Sequence, residues 1–347
     1  MTKLNRKFLT SCAAAPLLLL YAVQAQAQSA PGAIAGLPAG VTAVSGPLVS
    51  PPEPDAASAP KAHADWARAT KTGATVEVGH LTPTSISNGP HVSTGQPSSV
   101  SNGYAYTTSG NWSGSAVSGE VFTGGLEAIE STFVVPTAHQ AFGACTGGWD
   151  WSSVWPGIDG WGSSDVLQGG IEADAFCIGG SRSAFYSAWI EWYPFNETRV
   201  SSPAISPGDE LFVEVWNVTS TSGYVYFHDY STNVTAEYHL TAPSGTTLKG
   251  NSVEWIVERP GVNGSLATLT NYIDVTLTGG VAWNYGHSPA TNYYPFVNPS
   301  VGTLELITML DNNGKGISSA TGWNSNTLWF QDFGSACGIA GNTAGPC

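Results

Sequence analysis

From Tyr104 onward the chain alternates apolar and polar residues in short runs. ELFVEVWNV (210–218), GYVYFHDY (223–230), VEWIVE (253–258) and YIDVTLTG (272–279) are rich in β-branched and aromatic residues, with SPGD, TSG, SGTT and NGS turn signals around them. Side chains alternate between the two faces of a strand, so runs of this kind predict strands. No stretch sustains a helical period beyond about ten residues. The pattern predicts one all-β domain over residues 104–347, a β-sandwich of antiparallel sheets long enough to bury a substantial core.

The same period of two sorts individual residues. Gln168 and Glu172 share one face of their run, while Glu254, Ile256 and Glu258 share one face of theirs, opposite Trp255 and Val257. In AWIEWYP (188–194), Trp189, Glu191 and Tyr193 face one way and Ala188, Ile190 and Trp192 the other. One set is core and the other lines a cleft. An amide and a carboxylate on facing strands can converge on one water.

The first 103 residues read differently. Lys3, Arg6 and Lys7 precede an apolar stretch from Ala13 to Val23 and then Ala25-Gln26-Ala27, which predicts a secretory signal peptide over 1–27 and a secreted, extracellular product. That apolar stretch is too short to span a bilayer. Residues 28–103 are rich in Pro, Ala, Ser, Gly and Thr, as in PGAIAGLPAG and LVSPPEPDAASAP, and read as a propeptide or linker, largely unstructured. Only HADWARATKTGATVEV (63–78) is capable of local structure, and Lys61, Arg68 and Lys71 suit docking on an acidic domain.

Charge sharpens this division. Of 11 Lys plus Arg and 25 Asp plus Glu, residues 1–103 hold six basic and four acidic, leaving five basic and 21 acidic for 104–347. So acidic a domain repels phosphate backbones and anionic lipid, which argues against nucleic-acid and membrane partners. Few fixed cations also mean little self-repulsion once carboxylates protonate, a composition suited to acid. Export removes Cys12 and leaves Cys145, Cys177, Cys337 and Cys347, an even number in an oxidising compartment. Three connectivities are possible; Cys145–Cys177 and Cys337–Cys347 each close a local loop. There is no CxxC or HExxH, and His139, His228, His239 and His287 share no spacing, so no metal or cofactor is expected. The N-x-S/T sites at Asn111, Asn196, Asn217, Asn233 and Asn263 are glycosylation acceptors only in a eukaryotic secretory route.

The chemistry must work without a familiar nucleophile. There is no GxSxG elbow, and the cysteines are committed to disulfides. Direct attack by water remains, which requires a base and a donor for the developing oxyanion. A carboxylate stays partly ionised in mild acid where His is fully protonated, and an amide donor does not titrate.

Five segments carry a resemblance: NWSG (111–114), WPGIDG (155–160), LQGG (167–170), AWIEWYP and VEWIVERP. Together they resemble the glutamic peptidases, or eqolisins, over roughly residues 104–347. The resemblance implies a concanavalin-like or jelly-roll-like sandwich with a concave face, and a secreted acid endopeptidase made as a zymogen. Gln168 and Glu258 match the family's two catalytic positions, with Glu254 the competing base. Trp189 and Glu191 fall in the cleft, Trp155, Asp159 and Glu172 beside it, and Trp112 at its floor. The expected partners are polypeptide substrates and the chain's own propeptide as inhibitor, acting on a monomer, with self-cleavage near Tyr104. This chain departs from the pattern in three places. The loop GWGSSD (160–165) is one residue short, Gly169 stands where Thr is common, and Arg259-Pro260 replaces an acidic continuation. Arg259 bent back on Glu258 would lower its pKa.

Two rivals share parts of this pattern. A sandwich glycoside hydrolase would pair Glu258 with Glu172 or Glu191 as acid and base. A carbohydrate-binding module would show the Trp-lined face without a catalytic pair. Neither has a reason to place LQGG beside WPGIDG.

Overall fold

The computed structural model describes residues 36–96, 98–101, 104–118, 125–141, 145, 147–286, 293–295, 303–324 and 327–332. The signal-peptide reading for 1–27 and the cysteines Cys337 and Cys347 lie outside them. The alternating runs form strands as their pattern predicts. The principal ones are β1 (Trp112–Ser118), β2 (Glu127–Val134), β3 (Ser153–Ile158), β4 (Val166–Ile178), β5 (Ser181–Tyr193), β6 (Thr198–Val200) and β7 (Glu210–Thr219). They continue with β8 (Ser222–Asp229), β9 (Val234–Thr241), β10 (Ser252–Glu258), β11 (Asp274–Asn284), β12 (Thr303–Leu310), β13 (Gly316–Asn324) and β14 (Thr327–Asp332).

Pairing divides them into two antiparallel sheets. Sheet A runs β6-β5-β4-β3-β10-β1-β12. Sheet B runs β14-β11-β2-β7-β8-β9. Strand β13 pairs with both β12 and β14 and so closes one side of the sandwich. The main core contains Leu167, Ile171, Ala188, Ile190, Trp192, Val253, Trp255 and Val257 of sheet A with Ile129, Val213, Val225 and Phe227 of sheet B. These are the positions that the period of two assigns to the inner face.

Two glycines of the LQGG motif set the spacing of layers. A Cβ on Gly169 would lie 2.5 Å from Cγ1 of Val225, so a bare backbone here admits the valine of the opposite sheet. A Cβ on Gly170 would lie 2.0 Å from the Val154 carbonyl and 2.7 Å from the Trp155 Cβ. The motif is thus a packing device on both faces of β4, which explains Gly169 without reference to catalysis. The disulfide Cys145–Cys177 forms at the end of β4, as the local-loop reading expects.

The segment before Tyr104 corrects the reading of a largely unstructured linker. Residues Pro60–Ala69 form a helix, α1, with Pro at its first turn, where the missing N–H costs nothing, and Ala62, Asp65 and Ala69 buried. It lies on the outer face of sheet B, where Phe212, Trp216, Tyr226, Val281 and Trp283 meet Ala62 and Ala69. Arg68 reaches Glu210 of β7 and stacks 3.4 Å over the Tyr230 ring, whereas Lys61 pairs with Asp65 inside the helix. Val41–Ala43 and Thr75–Val76 pair with β9, and Leu81–Pro83 with β6. Composition concealed this order because the segment has no core of its own and borrows one from the sandwich. No helix among the described residues is long and apolar enough to cross a membrane.

Candidate active site

The outer face of sheet A gathers the residues singled out above. Strand β3 lies between β4 and β10, so its register fixes theirs. Gly157 faces both Gln168 and Glu254, while Ser153 faces both Glu172 and Glu258. On the far sides, Gln168 faces Glu191 of β5 and Glu258 faces Trp112 of β1. Gln168 and Glu258 are therefore two strands apart and offset by four residues, and Glu191, opposite Gln168, lies close enough to Glu258 for its charge to act on it. Trp112, Trp155, Trp189 and Ile256 pack as one cluster there, with Tyr193 at its margin. Trp112 and Trp155 meet edge to face at 5.2 Å.

Glu258 is buried yet served by two donors. Asn111 Nδ2 donates to Oε1 at 3.0 Å and Trp155 Nε1 to Oε2 at 3.1 Å. Burial holds its pKa well above the ordinary carboxylate range; the Asn111 bond pulls it down, Glu191 pushes it up, and the Trp155 bond again lowers it. Gly157 leaves the space that Trp155 needs, since a Cβ there would lie 2.7 Å from the indole. Arg259 does not bend back. Its guanidinium donates to the carbonyls of Gly110 (2.6 Å) and Leu310 (3.2 Å) and to Asn312 Oδ1 (3.0 Å), which corrects its expected role on Glu258.

Glu254 differs sharply from Glu258. Burial raises its pKa well above the ordinary range, opposed by Ser252 and the Trp161 N–H, and neither carboxylate oxygen is held by a side-chain donor as close as those on Glu258. Asp159 sits beyond the end of β3 with φ of 69° and accepts the N–H groups of Lys249, Gly250 and Asn251 at 2.6, 3.1 and 2.9 Å. It fastens the 249–251 loop, and its charge acts on Glu254. Glu172 receives Arg199 bidentately, Nε to Oε2 at 2.7 Å and Nη2 to Oε1 at 3.1 Å, with Glu197 3.7 Å from the same Nε. Both Glu172 and Asp174 are buried beside this guanidinium, and burial and then the Glu172 charge raise Asp174 and Glu197 well above the usual range.

The cleft is filled by the chain itself. Residues 84–92 cross it, with Ile86–Ser87 paired to Gly261–Val262. Asn88 is fully buried at the centre. Its carbonyl accepts the Gln168 Nε2 donor, and its N–H donates to Glu191 Oε2 at 2.9 Å. Its carboxamide donates to Glu197 Oε2 at 3.0 Å and accepts from Ser153 Oγ at 2.5 Å. The next carbonyl, of Gly89, accepts Trp112 Nε1 at 3.1 Å and Asn111 Nδ2 at 3.4 Å, and that of Pro90 accepts Asn111 Nδ2 at 3.1 Å. Burial raises the pKa of Glu191 well above the ordinary range while the bonds from Asn88 and Ser87 oppose it.

Sequence reasoning brought Gln168, Glu191, Glu258, Trp112, Trp155 and Trp189 to one face. It missed Asn88, Asn111, Ser153, Glu197 and Arg199. Asn111 stood in the quoted NWSG run, but its sequon drew attention to the surface, whereas the residue is 1% exposed. A polar residue opening a run of small and aromatic residues at the start of a strand was the available signal. Among the described residues no group of three or more His, Cys, Asp or Glu side chains is placed to hold a metal ion.

The sequence and the fold both have known counterparts. A family model described as the Peptidase A4 family matches residues 110–322. Aspergillopepsin-2 of Aspergillus niger is 28% identical over 193 residues, 51% of this chain and 66% of that protein. Scytalidopepsin B of Scytalidium lignicola is 29% identical over 152 residues, 44% of this chain and 52% of that protein. The chain thus spans about half to two thirds of the length of these curated relatives. Scytalido-glutamic peptidase, solved with a transition state analog inhibitor, shares the fold at a TM-score of 0.51 and 21% identity, covering 64% of this chain and 98% of that one.

Proposed function

The chain belongs to the Peptidase A4 family, and from that premise we propose that it is a secreted acid endopeptidase in which Glu258 activates water and Gln168 stabilises the oxyanion. The observation that carries this reading is the Gln168 amide donating to a main-chain carbonyl inside the cleft. A peptide carbonyl held there has its oxygen on a non-titrating donor. The donors on Glu258, Asn111 and Trp155, favour its ionised form and oppose part of the effect of burial, which suits the group to take the water's proton. Water attacks the carbonyl carbon, the negative oxygen is held by Gln168, and Glu258 hands its proton to the departing amine. A single oxyanion donor in a dry site contributes about 2.7–4 kcal/mol to the transition state.

In the same reading the substrates are polypeptides, the enzyme works as a monomer, and the N-terminal segment is its own inhibitor. Residues 84–92 hold the groups that a substrate must reach, so the precursor is inactive while the segment stays. Processed protein, assayed across acid pH, should hydrolyse denatured protein and leave polysaccharide intact. Cleavage of polysaccharide instead of protein would transfer the carboxylates to glycoside chemistry. Protein hydrolysis undiminished in Glu258→Gln would remove the base.

A further inference from the structure

We infer that the Asn88–Gly89 peptide bond is the first substrate of this active site, cut within the same molecule when the precursor is activated. The inference rests on the proposed roles of Gln168 and Glu258. The bond lies across the cleft in the sense that those roles require. Its carbonyl oxygen is on the Gln168 donor, the position of the oxyanion. The chain beyond it turns toward the other catalytic group, because Asn111 Nδ2 bonds the carbonyls of Gly89 and Pro90 and also Oε1 of Glu258. The amine to be released therefore lies on the side of the base.

Asn88 is also gripped as a residue preceding a scissile bond would be. Its N–H is on Glu191 and its carboxamide is bracketed by Ser153 Oγ and Glu197, four contacts with the carbonyl bond included. Every polar group of the residue is matched, so the subsite fits an amide side chain. Gly89 places no side chain against the attacking water. The self-cleavage near Tyr104 that the resemblance implies lacks such a setting. Tyr104–Ser109 pairs parallel with β12, at the far edge of sheet A from Gln168.

The step balances as a hydrolysis. The water oxygen bonds to the Asn88 carbonyl carbon while one water proton goes to Glu258. The carbon–nitrogen bond then breaks, and Glu258 returns the proton to the Gly89 nitrogen. The products are an Asn88 carboxyl and a Gly89 amine, and Glu258 is regenerated.

The test uses the full-length precursor, shifted from neutral to acid pH in steps and followed at each step by intact mass and N-terminal sequencing. Wild type should gain a terminus at Gly89 at a rate independent of protein concentration, and Glu258→Gln should gain none. Asn88→Leu, which keeps size and removes the amide, should slow this cut by tenfold or more without changing hydrolysis of added denatured protein once the segment is gone. Wild-type protein that cuts added protein while its Asn88–Gly89 bond stays intact overturns the inference and leaves the proposed function standing. A Gly89 terminus that forms equally in Glu258→Gln, or faster at higher concentration, also overturns it. Failure to cut either added protein or the chain itself brings down the proposed function, and the inference with it.

Discussion

The sandwich has two outer faces that look alike in composition and differ in wiring. Each lies under part of the N-terminal segment, each is floored by tryptophan, and each buries several carboxyl groups. On sheet B these are Glu130 and Glu214, directly opposite each other on β2 and β7, with Glu237 on β9. Both oxygens of Glu130 and of Glu214 lack a hydrogen-bond partner. Burial raises both well above the carboxylate range, and each is pushed further by a neighbouring carboxyl, Glu130 by Glu214 and Glu214 by Glu237. On sheet A, burial acts as strongly on Glu258 and Glu191, yet each carries two donors. A buried carboxyl is therefore common in this protein. What distinguishes Glu258 and Glu191 from Glu130 and Glu214 is a donor on each carboxylate oxygen, aimed at the charged form.

The contrast breaks most decisively at Glu258. Glu258→Gln should lower kcat by about 10⁴-fold, near the upper end for a lost acid–base group, while Glu214→Gln changes kcat/KM less than about twofold; steady-state assays on processed protein compare them. Equal losses would erase the distinction between the faces. Gln168→Ala should follow, with a loss of about 10²–10³ in kcat and a smaller change in KM. Gln168→Glu would donate only when protonated, so its residual activity should move to lower pH. An unchanged pH profile would make Gln168 a wall of the cleft. Asn111→Ala should cost about tenfold and shift the acid limb of the rate profile to higher pH, because the bond that lowers the Glu258 pKa is gone. A pH profile identical to wild type would show that Asn111 acts only on substrate.

The smallest effect is on stability and concerns buried carboxyls of both sheets. A carboxyl whose folded-state pKa is raised binds more protons folded than unfolded, so its contribution falls as pH rises above the unfolded value. Burial places Glu127 at about 8 and Glu237 at about 7, and Asp150 and Asp165 at about 6. Stability should be greatest near pH 4 and fall steadily up to about pH 8, by roughly 10 °C in Tm on calorimetry of the precursor. Glu214→Gln should regain a few degrees at pH 8 and almost none at pH 4. A Tm that rises toward neutral pH would contradict the pattern of burial.

Much of this was legible in the chain because strands carry their own period. VEWIVE and AWIEWYP separated core from cleft residue by residue, since one slip of register would expose Trp255 or bury Glu258 in the core. The resemblance then named Gln168 and Glu258 among many equivalent polar positions. Illegible were contacts between residues far apart in sequence. Asn111 meets Glu258 across 147 positions, and Asn88 meets Gln168 across 80. The described part of the N-terminal segment is more ordered than its composition indicates for a related reason: low hydrophobicity indicates disorder only when no neighbour supplies an apolar surface, and here sheet B supplies one to Ala62 and Ala69.

The strands that the N-terminal segment lends to the sandwich bear on how the protein survives its own synthesis. Val41–Ala43 and Thr75–Val76 lie along β9, and Leu81–Pro83 along β6, the terminal strands of the two sheets on the side that β13 leaves open. A bare terminal strand is a template for another chain, and two such templates on one molecule favour polymers over dimers. The N-terminal segment thus covers both edges against self-association. Expression of residues 104–347 alone leaves both rows of backbone donors and acceptors unoccupied while the domain folds, and inclusion bodies are the expected form of that product.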